Sequence, residues 1–207
     1  MPVTAKICGL STPQTLDAAI AGGASHVGFV FFPPSPRNVS PDQARALIAR
    51  VPAHVGKVGV FVDPDDALIE AAFASGIDTV QVHKTAPERA AAIRHPVWAA
   101  VAVKTRADLD IAARYRGAAE RILYDAKTPE GSTLPGGMGL RFDWTLLQGF
   151  RHPLPWALSG GLDPLNVAQA ARVTGAPLVD VSSGVESAPG TKDVGKIAAF
   201  LKTVAAL

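Results

Sequence analysis

From end to end, this chain repeats one unit: a short run rich in Val, Ile, Phe and Leu, then a longer Ala-rich stretch with helical spacing. The apolar runs are Val3–Cys8, His26–Phe32, Val55–Val62, Thr79–His83, Val97–Val103, Arg121–Asp125, Trp156–Ser159 and Leu178–Ser182. They are too continuously apolar for strands with one face in water, so they read as buried parallel strands. The helical stretches between them are Thr12–Ala21, Pro41–Arg50, Pro64–Ala74, Pro87–Ile93, Arg106–Tyr115, Phe142–Gln148, Pro164–Thr174 and Val194–Val204. Ser40–Pro41 and Asp163–Pro164 each set a capping side chain before a proline at the first helical position.

About eight such units in 207 residues predict an α/β fold, a (β/α)8 TIM barrel near the lower size limit of that architecture. With no break in composition, residues 1–207 read as one domain. A doubly wound open sheet is the alternative. It would normally carry a glycine fingerprint in the first strand-to-helix turn, and Cys8-Gly9-Leu10-Ser11 is not one.

A formal charge of +2, with acids and bases interspersed, argues against a nucleic-acid partner. The first ten residues lack the pattern of a secretory leader, and no apolar run is long enough to span a bilayer. A soluble, cytoplasmic protein is expected, with the monomer as the preferred state. Its single cysteine fits a reducing compartment.

In a barrel of this kind the site is built at the C-terminal ends of the strands. Those ends carry Cys8, Arg37 in the loop after Phe32, His83, Asp125, Gly160-Gly161, and Asp180 followed by Ser182-Ser183-Gly184. A lone thiol forms no internal disulfide and no zinc site by itself, which leaves it as an acid, a base, a nucleophile or a small buried hydrophobe. No metal is expected, because His26, His54, His95 and His152 fall at strand starts or in connections. Trp98, Trp144 and Trp156 read as packing residues.

Lys6-Ile7-Cys8-Gly9, Ser35-Pro36-Arg37, Gln81-Val82-His83, the Asp125 strand end, Gly136-Gly137-Met138-Gly139, Leu158-Ser159-Gly160-Gly161-Leu162 and Asp180-Val181-Ser182-Ser183-Gly184-Val185-Glu186 follow one another in order. Together they resemble the phosphoribosylanthranilate isomerase family, over essentially the whole chain. The resemblance implies a cofactor-independent Amadori rearrangement in tryptophan biosynthesis, on a phosphosugar carrying an anthranilate. By resemblance Asp125 is the acid that opens the furanose ring and Cys8 the base that removes the neighbouring carbon's proton.

A free thiol is mostly protonated at neutral pH and a free carboxyl mostly ionised, so both groups need correction by the site. Cover by the Gly136–Gly139 loop, or a nearby substrate anion, would raise the pKa of Asp125. The charge of Lys6 is not expected to lie against Cys8, and no source of thiolate stabilisation is legible. Arg37 is expected to grip the anthranilate carboxylate with a bidentate fork, or else to be a solvated surface residue. The glycine turns at Gly160, Gly161, Ser183 and Gly184 are expected to cradle the phosphate. Gly137 is expected to contact substrate from its loop, and the resemblance implies that Asp180 reaches the sugar hydroxyls. His83 is either a substrate contact or a structural histidine. The segment Lys127–Leu140 is the candidate mobile loop.

The chain departs from the family pattern at Lys84, where glycine is more common, at Met138 for threonine and at Tyr124 for leucine. Rival readings are two other phosphosugar barrels, indole-glycerol-phosphate synthase and the histidine-pathway isomerase, and a catalytically silent phosphate-ligand binder. The last has no need of both a thiol base and a buried acid.

Overall fold

A computed structural model of the protein describes residues 2–129, 131, 132, 134 and 136–207. Eight parallel strands form a closed barrel in sequence order: β1 (Thr4–Cys8), β2 (His26–Val30), β3 (Gly56–Val62), β4 (Thr79–His83), β5 (Val97–Val103), β6 (Arg121–Ala126), β7 (Trp156–Leu158) and β8 (Leu178–Val181). Closure is direct, with Thr4 to Ile7 in register with Leu178 to Val181, so the barrel is the right reading and the open sheet is not.

The outer layer contains α1 (Pro13–Ala21), α2 (Pro41–Ile48), α3 (Asp66–Phe73), α4 (Pro87–Ala92), α5 (Val167–Thr174) and α6 (Val194–Ala205). The stretches after β5 and β6 are 3-10 segments, Arg106–Tyr115 and Trp144–Leu147, rather than the α-helices their spacing suggested. In the first, the buried residues Leu109, Ala112 and Tyr115 recur every third position, the repeat of a helix with three residues per turn.

Ser40 and Gln43 form a reciprocal capping box at the start of α2, as the sequence pattern requires. The second proline cap is corrected. Asp163 accepts the amides of Leu165 and Asn166 in a separate turn, and α5 starts one turn later with Asn166 at its N-cap. A hairpin of β9 (Glu186–Ala188) and β10 (Thr191–Lys192) follows β8 and was not anticipated, although Pro189-Gly190 is a turn signal.

Strand alternation divides the burial into two cores. Outward residues such as Ile7, Phe29, Phe61, Tyr124 and Val179 pack under the helices in one apolar layer. Inward residues form a smaller cluster that includes Cys8, Val58, Trp98, Leu123 and Leu178, joined in the lumen by buried Lys6, Gln81, His83, Asp125 and Asp180. Trp98 and Trp156 are buried, and Trp144 is half-buried against the outer core. No described helix is long and apolar enough to cross a membrane. Glu130, Thr133 and Pro135, within the proposed mobile loop, lie outside the described residues.

Candidate active site

The lumen opens at the C-terminal rim into a cavity whose walls include Cys8, Arg37, His83, Asp125, Gly137 and Asp180. Beside it lies a second pocket, lined by Gly160, Gly161 and Ser183 and sharing Asp125, Gly137 and Asp180 with the first. Asp125 therefore stands between a largely apolar chamber holding the thiol and a glycine-rich chamber at the last two strands.

Asp125 is 6% exposed. Burial pushes its carboxyl up to about 7, against the opposing effect of a 2.8 Å hydrogen bond donated by the Ala126 amide. The Gly136 backbone covers it so closely that a Cβ there would stand 2.5 Å from Oδ2. The expected cover by the glycine loop is thus present at Gly136.

Cys8 is buried and free. Burial pushes its thiol above the ordinary range, Lys6 pulls it down, Asp180 pushes it up and Lys192 pulls it down. The expectation about Lys6 is overturned: Lys6 and Cys8 are two residues apart on β1 and so share the inner face. Lys6 is fully buried and donates to Asp180 Oδ1 at 2.8 Å. Burial alone would lower its pKa, but Asp180 and the thiol hold it above its ordinary value. Its signal in the sequence was a lysine inside an otherwise apolar strand.

Arg37 is buried, not a surface residue, but its bidentate fork is already occupied. Nε and Nη2 donate to Glu186 at 2.7 Å each, and Nη2 also donates to the Gly137 carbonyl at 3.0 Å. The Nε–Nη2 edge that the expected two-pronged grip could use is thus engaged within the protein, while Nη1 has no hydrogen-bond partner among the described residues and stands against Gly137. Glu186 also accepts from Lys192 Nζ at 2.6 Å, and Lys192 in turn donates to the Ser182 carbonyl. In the sequence Glu186 stands only as the last residue of a motif, and Lys192 carries no signal of its own. Their separation from Arg37 along the chain hid the pairing.

His83 is held by Gln81, with Nε2 3.0 Å from the Gln81 carboxamide nitrogen, and burial lowers its pKa to about 4. It presents a neutral imidazole at neutral pH. Asp180 places its second oxygen 3.3 Å from Ser159 Oγ. At the glycine turns, Gly161 sits at φ +64° with a Cβ position 2.8 Å from the Leu140 carbonyl, and a Cβ on Gly184 would collide with the Leu162 carbonyl. Backbone approaches backbone there more closely than a side chain allows. Gly160 and Gly161 line the second pocket, whereas Gly184 stands behind Ser183 in the short 3-10 turn Ser183–Val185.

No group of three or more His, Cys, Asp or Glu side chains that could hold a metal ion occurs among the described residues. The lumen gathers a buried carboxyl tuned near neutrality, a thiol beside a buried ammonium, and a glycine-rich pocket. The arrangement is that of an enzyme of the (β/α)8-barrel class.

The family model for N-(5'-phosphoribosyl)anthranilate (PRA) isomerase matches residues 5–203. The N-(5'-phosphoribosyl)anthranilate isomerase of Zymomonas mobilis subsp. pomaceae is 55% identical, covering 99% of both chains. That of Paramagnetospirillum magneticum is 52% identical over 98% of this chain and 97% of its own. Among solved structures, the phosphoribosyl anthranilate isomerase of Thermotoga maritima superposes with a TM-score of 0.88 at 38% identity, covering 99% of this chain and 100% of that one. A phosphoribosyl anthranilate isomerase in complex with reduced 1-(o-carboxyphenylamino)-1-deoxyribulose 5-phosphate gives 0.86 at 36% identity, again over 99% and 100%. The chain belongs to the phosphoribosylanthranilate isomerase family of tryptophan biosynthesis.

Proposed function

We propose that this barrel converts N-(5'-phosphoribosyl)anthranilate to 1-(2-carboxyphenylamino)-1-deoxyribulose 5-phosphate with Asp125 as general acid and Cys8 as general base. The observation that carries the reading is the buried Asp125 carboxyl, tuned to about 7 and lining the same cavity as the thiol. Asp125 gives its proton to the ring oxygen as the C1'–O bond breaks, leaving a protonated Schiff base at C1'. The Cys8 thiolate then takes the C2' proton, and the C–H electrons neutralise the iminium to give an enolamine that tautomerises to the ketose.

The phosphate sits over Gly160, Gly161, Ser183 and Gly184, at the start of the 3-10 turn. Asp180 holds sugar hydroxyls through the oxygen that Lys6 does not take. Arg37 Nη1 and neutral His83 meet the anthranilate end, with Gly137 keeping Arg37 in place. No metal or redox group enters any step. All these groups come from one barrel within residues 1–207, so a single domain and a monomer suffice as the working unit in the cytoplasm. The Thermotoga maritima relative is described as dimeric.

With burial raising both groups, the thiol titrates above the acid. The working form, protonated Asp125 with Cys8 thiolate, is then a minority tautomer of the form that carries its one proton on the thiol. Below about pH 7 both groups are protonated and activity rises with pH. Between the two pKa values the tautomer ratio is fixed and activity is level. Above the Cys8 pKa both protons are gone and activity falls. The first test follows the fluorescence of freshly made substrate. Cys8→Ala and Asp125→Asn should each lower kcat by about 10²–10⁴. A Cys8→Ala enzyme with wild-type turnover would remove the thiol from the mechanism, and a wild type that binds substrate without consuming it would favour the regulatory binder.

A further inference from the structure

We propose that Lys6 is a positioning residue for the isomerisation: its ammonium, anchored by Asp180 inside the lumen, supplies the positive charge that lets the buried Cys8 thiolate exist. The inference rests on the reading of Cys8 as the base. Lys6 is wholly buried, and an ammonium at such depth is costly unless it serves a partner. Asp180 is one partner, at 2.8 Å.

The other is Cys8. Gly28 on β2 leaves a gap flanked by both side chains, so that a methyl placed there would come within 3.0 Å of Cys8 Sγ and 3.2 Å of Lys6 Cε. The lysine stem and the thiol therefore line the same notch, and the glycine is what admits them both. The ammonium favours the ionised thiol, and the ionised thiol favours the ammonium.

The charged and titratable groups around this notch come from every side. Asp180 of β8 raises the thiol pKa, Lys192 of the β9–β10 hairpin lowers it, and Asp125 and His83 line the rest of the cavity. Arg37 is neutralised on Glu186, and His26 at the lower end of the lumen is kept neutral, its pKa lowered to about 4. Lys6 is thus the cation on the thiol's own strand, with Asp180 as its counterweight.

The two partners make opposite predictions, which separates electrostatics from structural damage. Cys8 is the chain's only cysteine, so its alkylation by iodoacetamide, followed by mass spectrometry against pH, reads one thiol without turnover. Lys6→Met should move the alkylation midpoint up by about 1–2 pH units, while Lys6→Arg keeps it close to wild type. Asp180→Asn should move it down. In kcat/KM, Lys6→Met should shift the basic limb upward by the same amount and lower the plateau about 10–100-fold, because the productive tautomer becomes rarer.

If Lys6→Met is too unstable to study, Lys6→Met/Asp180→Asn leaves no unpaired buried charge. Measured against Asp180→Asn alone, it should show the same upward move. An unmoved midpoint in Lys6→Met, or in the double variant against its reference, would overturn the role of Lys6 whatever happens to activity. Wild-type turnover in Cys8→Ala would instead overturn the base on which the inference rests and leave the midpoint shifts standing.

Discussion

The two faces of the same eight strands carry opposite chemistry. On the outer face Ile7, Phe29, Phe61 and Val181 meet the helices through hydrocarbon alone, and on the inner face their neighbours Lys6, Cys8, His83, Asp125 and Asp180 are buried with charge and titratable protons. Burial stabilises the outer residues directly. On the inner face the same burial works against the charged forms, and its effect appears as displaced pKa values: Asp125 up to about 7 and His83 down to about 4. The outer face holds the barrel together, and the inner face uses that rigidity to keep its groups in protonation states that water would not allow.

That division can be broken first by activity. The inner-face changes Cys8→Ala and Asp125→Asn should cost orders of magnitude in turnover with no loss of thermal stability. Next in size is the reverse case. Phe29→Ala, at a fully buried outer position, should destabilise by about 3–5 kcal/mol and lower Tm by roughly 10 °C while leaving the pH limbs of kcat/KM where they were. An outer-face cavity that moved those limbs would show the two faces to be coupled.

A smaller effect sharpens the contrast. The Asp125 carboxyl keeps its proton up to about pH 7 in the fold, whereas the unfolded chain loses it near 4. Below about pH 4 both states are protonated and the group is neutral to stability. As pH rises from about 4 to 7 the unfolded state gains progressively, and the cost is complete above 7. Asp125→Asn should therefore raise Tm by about 5 °C at pH 8, and the gain should shrink as pH falls through 6 and 5, read by calorimetry. A gain independent of pH would mean that the carboxyl is not the cause.

The smallest effect lies at the rim. Lys84 holds a left-handed backbone at φ +52°, a conformation that glycine adopts at less cost than lysine. Lys84→Gly should stabilise by about 1 kcal/mol, seen as a Tm rise of about 2–4 °C.

Much of this was legible in the sequence because it follows from period and position. Continuous apolar runs at eight places specify the strands to within two residues, and the strand-end rule points to Cys8, His83, Asp125 and Asp180. What escaped were relations between distant segments. Arg37 meets Glu186 across 149 residues and Lys6 meets Asp180 across 174, and no local pattern reports either pairing. The 3-10 form of Arg106–Tyr115 is hidden for a different reason, since Leu109, Ala112 and Tyr115, three residues apart, also share one broad face of an α-helix. Lys6 differs from these, because the two-residue spacing from Cys8 on one strand places both side chains on the same face.

The most direct test of the account is the kcat/KM profile of the wild type between pH 5 and 10, since this ratio reports the free enzyme's groups. Activity should rise through pH 7 as Asp125 titrates, run level, and fall only where the Cys8 thiol ionises. Activity that falls through pH 7 would mean that the thiolate is already formed at lower pH and that Asp125 simply loses its catalytic proton, contradicting the inverted order of the two groups.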